Sequence, residues 1–167
     1  ADTQALLAAL DELIAAGNSV FVVEHDVSVI RHADWVVDVG PNASTHGGNI
    51  VYSGPVEGVK QISSSHTSQY LFKNEENHLA HIQHKQHKQR RPKAWLSLKN
   101  IERNNLQKLD VEFPLGVITS VTGVSGSGKS SLVSQALVEL VYDALGQKSQ
   151  PQIPTDNAEL LEQELDI

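Results

Sequence analysis

The 167 residues include no cysteine and no methionine. Without cysteine the chain holds no disulfide framework and no cysteine-ligated zinc or iron–sulfur centre. Reading frames open on methionine, so a chain that opens on Ala1 and has none is expected to be a fragment or a processed product. Long apolar runs are missing too. A bilayer span takes about 20 consecutive apolar residues, and a signal peptide sets basic residues ahead of an apolar core. Neither pattern occurs, which predicts a soluble, cytoplasmic protein with no membrane partner. A formal charge of −7 argues against a general polyanion binder.

What is present alternates between helix and strand periods. Residues 2–16 set Leu6, Leu7, Leu10, Leu13 and Ile14 at the spacing of one helical face, and Gly17-Asn18 ends the helix. Ser19–Val23 is too apolar for a half-exposed strand and suits the middle of a parallel sheet. It runs into Glu24-His25-Asp26, at the strand end where open α/β sheets place ligands. A short helix over Val27–His32 leads to a strand over Trp35–Val39, with Trp35 in the core and Gly40-Pro41 closing it. Asn49–Tyr52 follows the Gly47-Gly48 turn as a third strand. The order is that of an α/β fold with a mostly parallel sheet.

Residues 74–93 are polar throughout and read as a linker. His78, His81, His84 and His87 recur every three residues, a spacing that could recruit a divalent metal on a helix, but the segment has no apolar face to fix the ligands and reads as a solvated linker instead. Lys85, Lys88, Arg90, Arg91 and Lys93 read as a solvated basic stretch, because no aromatic residue interleaves them to stack on bases. Strand patterns resume at Trp95–Leu98 and at Leu106–Phe113, where Leu109, Val111 and Phe113 alternate, so a short antiparallel element is expected near residues 94–116. After Pro114-Leu115-Gly116 comes the apolar strand Val117–Thr122. A helix from about Ser130 to Ala144 would present Leu132, Val133, Ala136, Leu137, Leu140 and Val141 on one face. Beyond it, residues 147–167 form an acidic tail in which Asp156-Asn157-Ala158-Glu159 reads as a capping box.

The sharpest local signal is Gly123-Val124-Ser125-Gly126-Ser127-Gly128-Lys129-Ser130-Ser131. It matches the phosphate-loop (Walker A) pattern GxxxxGK[ST] between a strand and an amphipathic helix, where that pattern has meaning. Glycines let backbone N–H groups turn toward phosphates, the lysine reaches the β- and γ-phosphates, and the Ser130 hydroxyl suits Mg²⁺. His25 has two open readings, a γ-phosphate sensor and a surface histidine. Asp26 and Asp38 are too isolated in sequence to be paired as acid and base.

Two longer blocks resemble one family. Gly17-Asn-Ser-Val-Phe-Val-Val-Glu-His-Asp-Val-Ser-Val-Ile-Arg-His-Ala-Asp-Trp-Val-Val-Asp-Val-Gly-Pro41 is similar to the end of an ATP-binding cassette domain of the UvrA family, from the excinuclease ABC repair system. The run from Asn104 through Leu106, Phe113 and Gly123 to Ser131 resembles the start of such a domain in the same family. The resemblance implies P-loop NTPase domains of the cassette type, present in part. Residues 1–73 would close one nucleotide-binding domain, 74–93 would link, 94–146 would open a second, and 147–167 would be the tail.

By resemblance, His25 is the switch histidine and the catalytic residue. Gly123, Ser125, Gly126, Ser127, Gly128, Lys129, Ser130 and Ser131 bind ATP, and Ser130 also ligates Mg²⁺. The family's catalytic glutamate, signature motif, zinc modules and damage-contacting insertions are implied to lie outside this chain, so zinc is expected only in the full-length protein. Expected partners are DNA, a UvrB-like repair subunit and a second copy of the full-length protein. A non-hydrolysing nucleotide-binding remnant and a related cassette ATPase outside repair are the alternatives. The resemblance assigns His25 and Lys129 to two different ATP sites, and Ile101–Asn105 lacks the aromatic residue that stacks adenine in transporter-type cassettes. In folds of this class Val20–Glu24 and Val117–Thr122 lie side by side, so they are expected to pair within this chain, as in a circular permutation.

Overall fold

The computed structural model describes residues 3–43, 46–72 and 89–147. The four linker histidines, Lys85, Lys88 and the Asp156–Glu159 capping box lie outside the described residues. The chain divides into two compact units, Ala1–Leu137 and Val138–Ile167.

The first unit is built on a four-stranded sheet in the order β1-β6-β2-β3. Strand β1 is Val20–Val23, β2 Trp35–Gly40, β3 Asn49–Pro55 and β6 Ile118–Thr122. β6 pairs in parallel with β1 (Val20 opposite Ile118, Val23 opposite Val121) and with β2 (Trp35 opposite Thr119, Asp38 opposite Thr122). The expected pairing of the two blocks within one chain is therefore present. β3 runs antiparallel to β2 at the edge and extends past the expected Tyr52 to Pro55.

Alternation along the strands sends side chains to opposite faces. One face carries Val36 and Ile118 into a cluster with Leu10 and Ile14 of α1 (Thr3–Ala15) and Val29 and Ile30 of α2 (Val27–His32). Val56 and Val59 of a 3₁₀ turn (Val56–Gln61) and Leu71 of α3 (His66–Phe72) complete it. Neither the 3₁₀ turn nor α3 was legible in the sequence, because each is only about two turns long and its apolar residues are spread thinly. Asp26 caps α2, its carboxylate accepting from the N–H groups of Ser28 at 2.7 Å and Val29 at 3.3 Å. On α1 the expected apolar face is narrower than predicted. Leu7, Leu10 and Ile14 share the core-facing stripe, while Leu6 and Leu13, about 100° round the helix, are exposed.

The other face is covered by an antiparallel hairpin, β4 (Ala94–Arg103) and β5 (Leu106–Leu115). Phe21 meets Phe113 edge-on at 5.3 Å between ring centroids, and Trp35 meets Trp95 at 5.0 Å. Trp35 is half-buried rather than a core residue, and its indole N–H donates to Ser53 Oγ at 3.0 Å. The single helix expected from Ser130 to Ala144 is divided. Ser131–Leu137 is π-helical, a wider winding that sets Leu132, Ala136 and Leu137 inward, four and five residues apart. Val138–Ala144 forms α4 in the second unit, followed by a turn in which Gly146 takes φ 67°.

One buried carboxylate ties these parts together. Asp34 is 2% exposed and accepts from the backbone N–H of Ile118 at 2.9 Å, the backbone N–H of Arg90 at 2.8 Å and the Arg90 guanidinium at 3.3 Å. Arg90 also binds Asp11, which His32 contacts at 3.0 Å. Burial alone would raise the Asp11 carboxyl, but hydrogen bonds from Arg90 and His32 outweigh it and hold the group below its ordinary value.

Asp34→Ala should lower unfolding free energy by about 3 kcal/mol, read from urea titrations, because it leaves the Ile118 and Arg90 backbone N–H groups without their acceptor and removes one of the two carboxylates that Arg90 binds. Asp11 should act in a pH window. A depressed carboxyl adds stability above its unfolded pKa that disappears as pH falls through the folded one. The difference between wild type and Asp11→Asn should be present above about pH 4 and shrink as pH falls below that value. It should stay under about 1 kcal/mol, because the Asp11 side chain is 37% exposed.

Candidate functional site

Parallel pairing brings the C-terminal ends of β1, β6 and β2 to one edge, so the segments that follow them converge. Those segments are Glu24-His25, the glycine-rich loop from Gly123 and the turn after Val39. The loop backbone departs from ordinary geometry at Gly123 (φ 130°), Gly126 (75°) and Gly128 (109°), a region L side chains rarely adopt. Gly123 is doubly constrained, since a Cβ there would lie 2.0 Å from the Val39 carbonyl oxygen.

Inside this loop the Lys129 ammonium donates to the carbonyls of Gly123 and Val124, at 2.9 Å each. Burial lowers its pKa, and the Asp38 carboxylate offsets part of that effect. The lysine is thus held folded over its own loop, partly desolvated and without a direct counter-ion contact among the described residues. Ser127 is fully buried, and its hydroxyl has no hydrogen-bond partner among the described residues. Ser125, Gly126 and Ser130 are exposed. The Ser131 hydroxyl, by contrast, accepts from Asn104 Nδ2 at 2.8 Å.

Beside the loop, Glu24, His25, His66, Thr67, Gly123 and Val124 line a cavity of about 360 Å³. His25 itself is exposed at its rim. The resemblance separates His25 and Lys129 into two ATP sites; within this chain the strand order sets His25 beside the first residues of the loop that carries Lys129. A second cavity of about 510 Å³, lined by Trp35, Trp95, Lys99 and Glu112 among others, shares none of these residues. Among the described residues no group of three or more His, Cys, Asp or Glu side chains is placed to hold a metal ion.

Sequence reading missed the polar floor under this edge. Asp38, 2% exposed, accepts hydrogen bonds from the hydroxyls of Ser65 at 2.5 Å, Thr67 at 2.9 Å and Thr122 at 3.1 Å. The only available signal was an aspartate inside an otherwise apolar strand, and its partners are up to 84 residues away. It also missed Asn104 and Asn105 at the β4–β5 turn. Asn104 takes φ 51° there, a conformation asparagine tolerates better than most residues.

The donors present fit a polyphosphate with a hard divalent cation. An ammonium is held, among the described residues, by two carbonyls, a serine hydroxyl is exposed next to it, and the glycine backbone leaves no Cβ to fill the loop.

No family model matches the chain. UvrABC system protein A of Paucimonas lemoignei is 63% identical over 148 residues, which is 89% of this chain and 21% of that protein. The Mycobacterium bovis protein of the same name is 42% identical over 144 residues, covering 86% of this chain and 14% of its own length. That of Pseudomonas putida is 41% identical over 170 residues, 99% of this chain and 18% of that protein. A crystal structure of UvrA2 from Deinococcus radiodurans is 57% identical over 87% of this chain and 17% of its own, with a TM-score of 0.42. The chain spans about a fifth or less of the length of these relatives, and no described helix is long and apolar enough to cross a membrane. Within that span, its sequence belongs to the UvrA family.

Proposed function

We propose that this chain is a nucleotide-binding part of a UvrA-type ATPase that couples ATP binding and hydrolysis to DNA damage recognition in nucleotide excision repair. The observation that carries the reading is the Gly123–Ser130 loop at the end of the central strand β6, with Lys129 folded onto its carbonyls. The sequence identity to UvrABC system protein A supports the repair context.

Loop, lysine and serine would act by positioning and charge. Mg-ATP, when bound, supplies the phosphoanhydride whose hydrolysis does the work. Lys129 exchanges its two carbonyl contacts for phosphate oxygens, so its ammonium moves from neutral acceptors to anionic ones. Partial desolvation strengthens that exchange, because less water competes for the ammonium. The Ser130 hydroxyl serves the metal, and the backbone of Gly126 and Gly128 approaches the phosphates where a side chain would collide. His25, at the end of β1, senses the terminal phosphate of the other ATP site of the full-length protein, not of the nucleotide that Lys129 holds. Zinc, the DNA contacts, a UvrB-like partner and a homodimer belong to the rest of the full-length protein in this reading.

The test is titration of the 167-residue chain with a fluorescent ATP analogue in Mg²⁺. Wild type should bind saturably, and Lys129→Ala should lose at least about tenfold in affinity, or about 1.4 kcal/mol. A folded wild-type chain that does not bind, or equal affinity in the variant, would overturn the reading. Lys129→Arg should bind less tightly than wild type, because the loop accommodates a point charge and not a planar fork.

A further inference from the structure

The glycine-rich loop is held from outside by two segments distant in sequence. Gly48 donates its N–H to the Ser127 carbonyl at 2.9 Å. The approach is close enough that a Cβ on Gly48 would lie 2.1 Å from the Asn105 carbonyl oxygen, and one on Gly47 3.1 Å from the Ser127 oxygen. On the other side, the Asn105 side-chain amide donates to the Gly126 carbonyl at 3.3 Å. That amide also closes over Gly128, whose Cβ would meet its Oδ1 at 3.0 Å. Asn104 donates to both Ser131 Oγ at 2.8 Å and Gln135 Oε1 at 3.1 Å.

These contacts have a directional consequence. In a trans peptide the carbonyl of one residue and the N–H of the next point opposite ways. Binding the Gly126 carbonyl to Asn105 aims the Ser127 N–H away from Asn105, and it meets the Val124 carbonyl at 3.2 Å. Binding the Ser127 carbonyl to Gly48 likewise aims the Gly128 N–H away from Gly48. Contacts made outside the loop therefore fix which way its inner N–H groups face.

The Asn104 contact works on the two adjacent serines. It occupies the Ser131 hydroxyl and leaves the exposed Ser130 as the hydroxyl next to Lys129.

We propose that Asn104 and Asn105, at the tip of the β4–β5 hairpin, are positioning residues for nucleotide binding. Asn105 sets the Gly126–Gly128 backbone, and Asn104 reserves Ser131 so that Ser130 alone serves the metal. The proposal rests on the loop being a phosphate binder. Neither asparagine need touch the nucleotide, and the tip that lacks an aromatic residue for a base thereby gains a role.

The experiment compares the 167-residue wild type with Asn105→Leu, which keeps about the same size and adds no charge but loses the donor, and with Asn104→Ala. Affinity for the fluorescent ATP analogue is measured across a Mg²⁺ series, beside thermal melting without nucleotide. Asn105→Leu should weaken binding about tenfold at saturating Mg²⁺, with melting within about 2 °C of wild type. Asn104→Ala should raise several-fold the Mg²⁺ concentration that gives half-maximal binding, and should do so less when Ser131 is already alanine, since the two act through one contact. Unchanged affinity and Mg²⁺ dependence, or losses tracked by an equal drop in melting temperature across both variants, would overturn the proposal while leaving wild-type binding intact. Failure of wild type itself to bind would instead bring down the reading of the loop on which the proposal depends.

Discussion

Strand β6 has neighbours on both sides that come from the opposite end of the sequence, and this parallel pairing governs the rest of the unit. β1 and β2 are separated by only one short helix, yet they are not adjacent. The gap between them is filled by Ile118–Thr122, about 80 residues further on, and every residue of that strand is buried. A parallel strand buried on both faces must pair its backbone on both edges, because unpaired N–H and C=O groups there cost more than the pairing returns elsewhere. Without β6, two parallel strands would expose facing edges. Without β1 and β2, the strand leading into the glycine-rich loop would have no sheet.

Two carboxylates mark the ends of that arrangement. Asp34 stands at the entry to β2 and binds the first N–H of β6 and the end of the polar linker; Asp38 stands at the exit and binds Thr122, the last residue of β6. Each is nearly inaccessible to solvent and fully engaged, so each is stable where it is only while its partners remain. Their directions differ in consequence. Asp34 joins the two blocks, whereas Asp38 places negative charge near Lys129 without touching it. Arg90 illustrates the same economy, since a residue that looks like part of a basic patch is consumed by Asp34 and Asp11.

The elements most legible in the sequence were those whose period and boundaries agree. α1, β1, α2 and β2 fall within a residue or two of expectation because each has a clean apolar pattern and a marked end. The side-by-side placement of β1 and β6 was legible only through family resemblance, since no local signal specifies a pairing across so many residues. The π-helical winding after Lys129 was not legible, because its apolar spacing of four and five also fits an ordinary helix. The loop residues Gly123–Ser131 were legible as a motif, while the groups that shape them were not. Gly48, Asn104 and Asn105 carry no pattern until the fold brings them together, and an Asn-Asn pair at a hairpin reads only as a turn.

The acidic balance of the chain does not oppose a polyphosphate ligand, because recognition in this loop is local. A net charge of −7 spread over exposed carboxylates acts through water and salt, where the field decays over about 8–10 Å. The groups nearest the loop are a partly desolvated ammonium and backbone dipoles in a less polar setting, where each contact is stronger. A divalent cation accompanying the phosphates would lower their charge further before they meet that acidic surface. DNA is a different problem, since an extended polyanion samples the whole surface. Arg90, the one described cation of the linker run that sits among carboxylates, is already bound to two of them. The partly desolvated ammonium and the backbone dipoles gathered at this loop suit a compact phosphate group. On the proposed reading, nucleotide state falls to this segment and damage contact to the rest of the full-length protein.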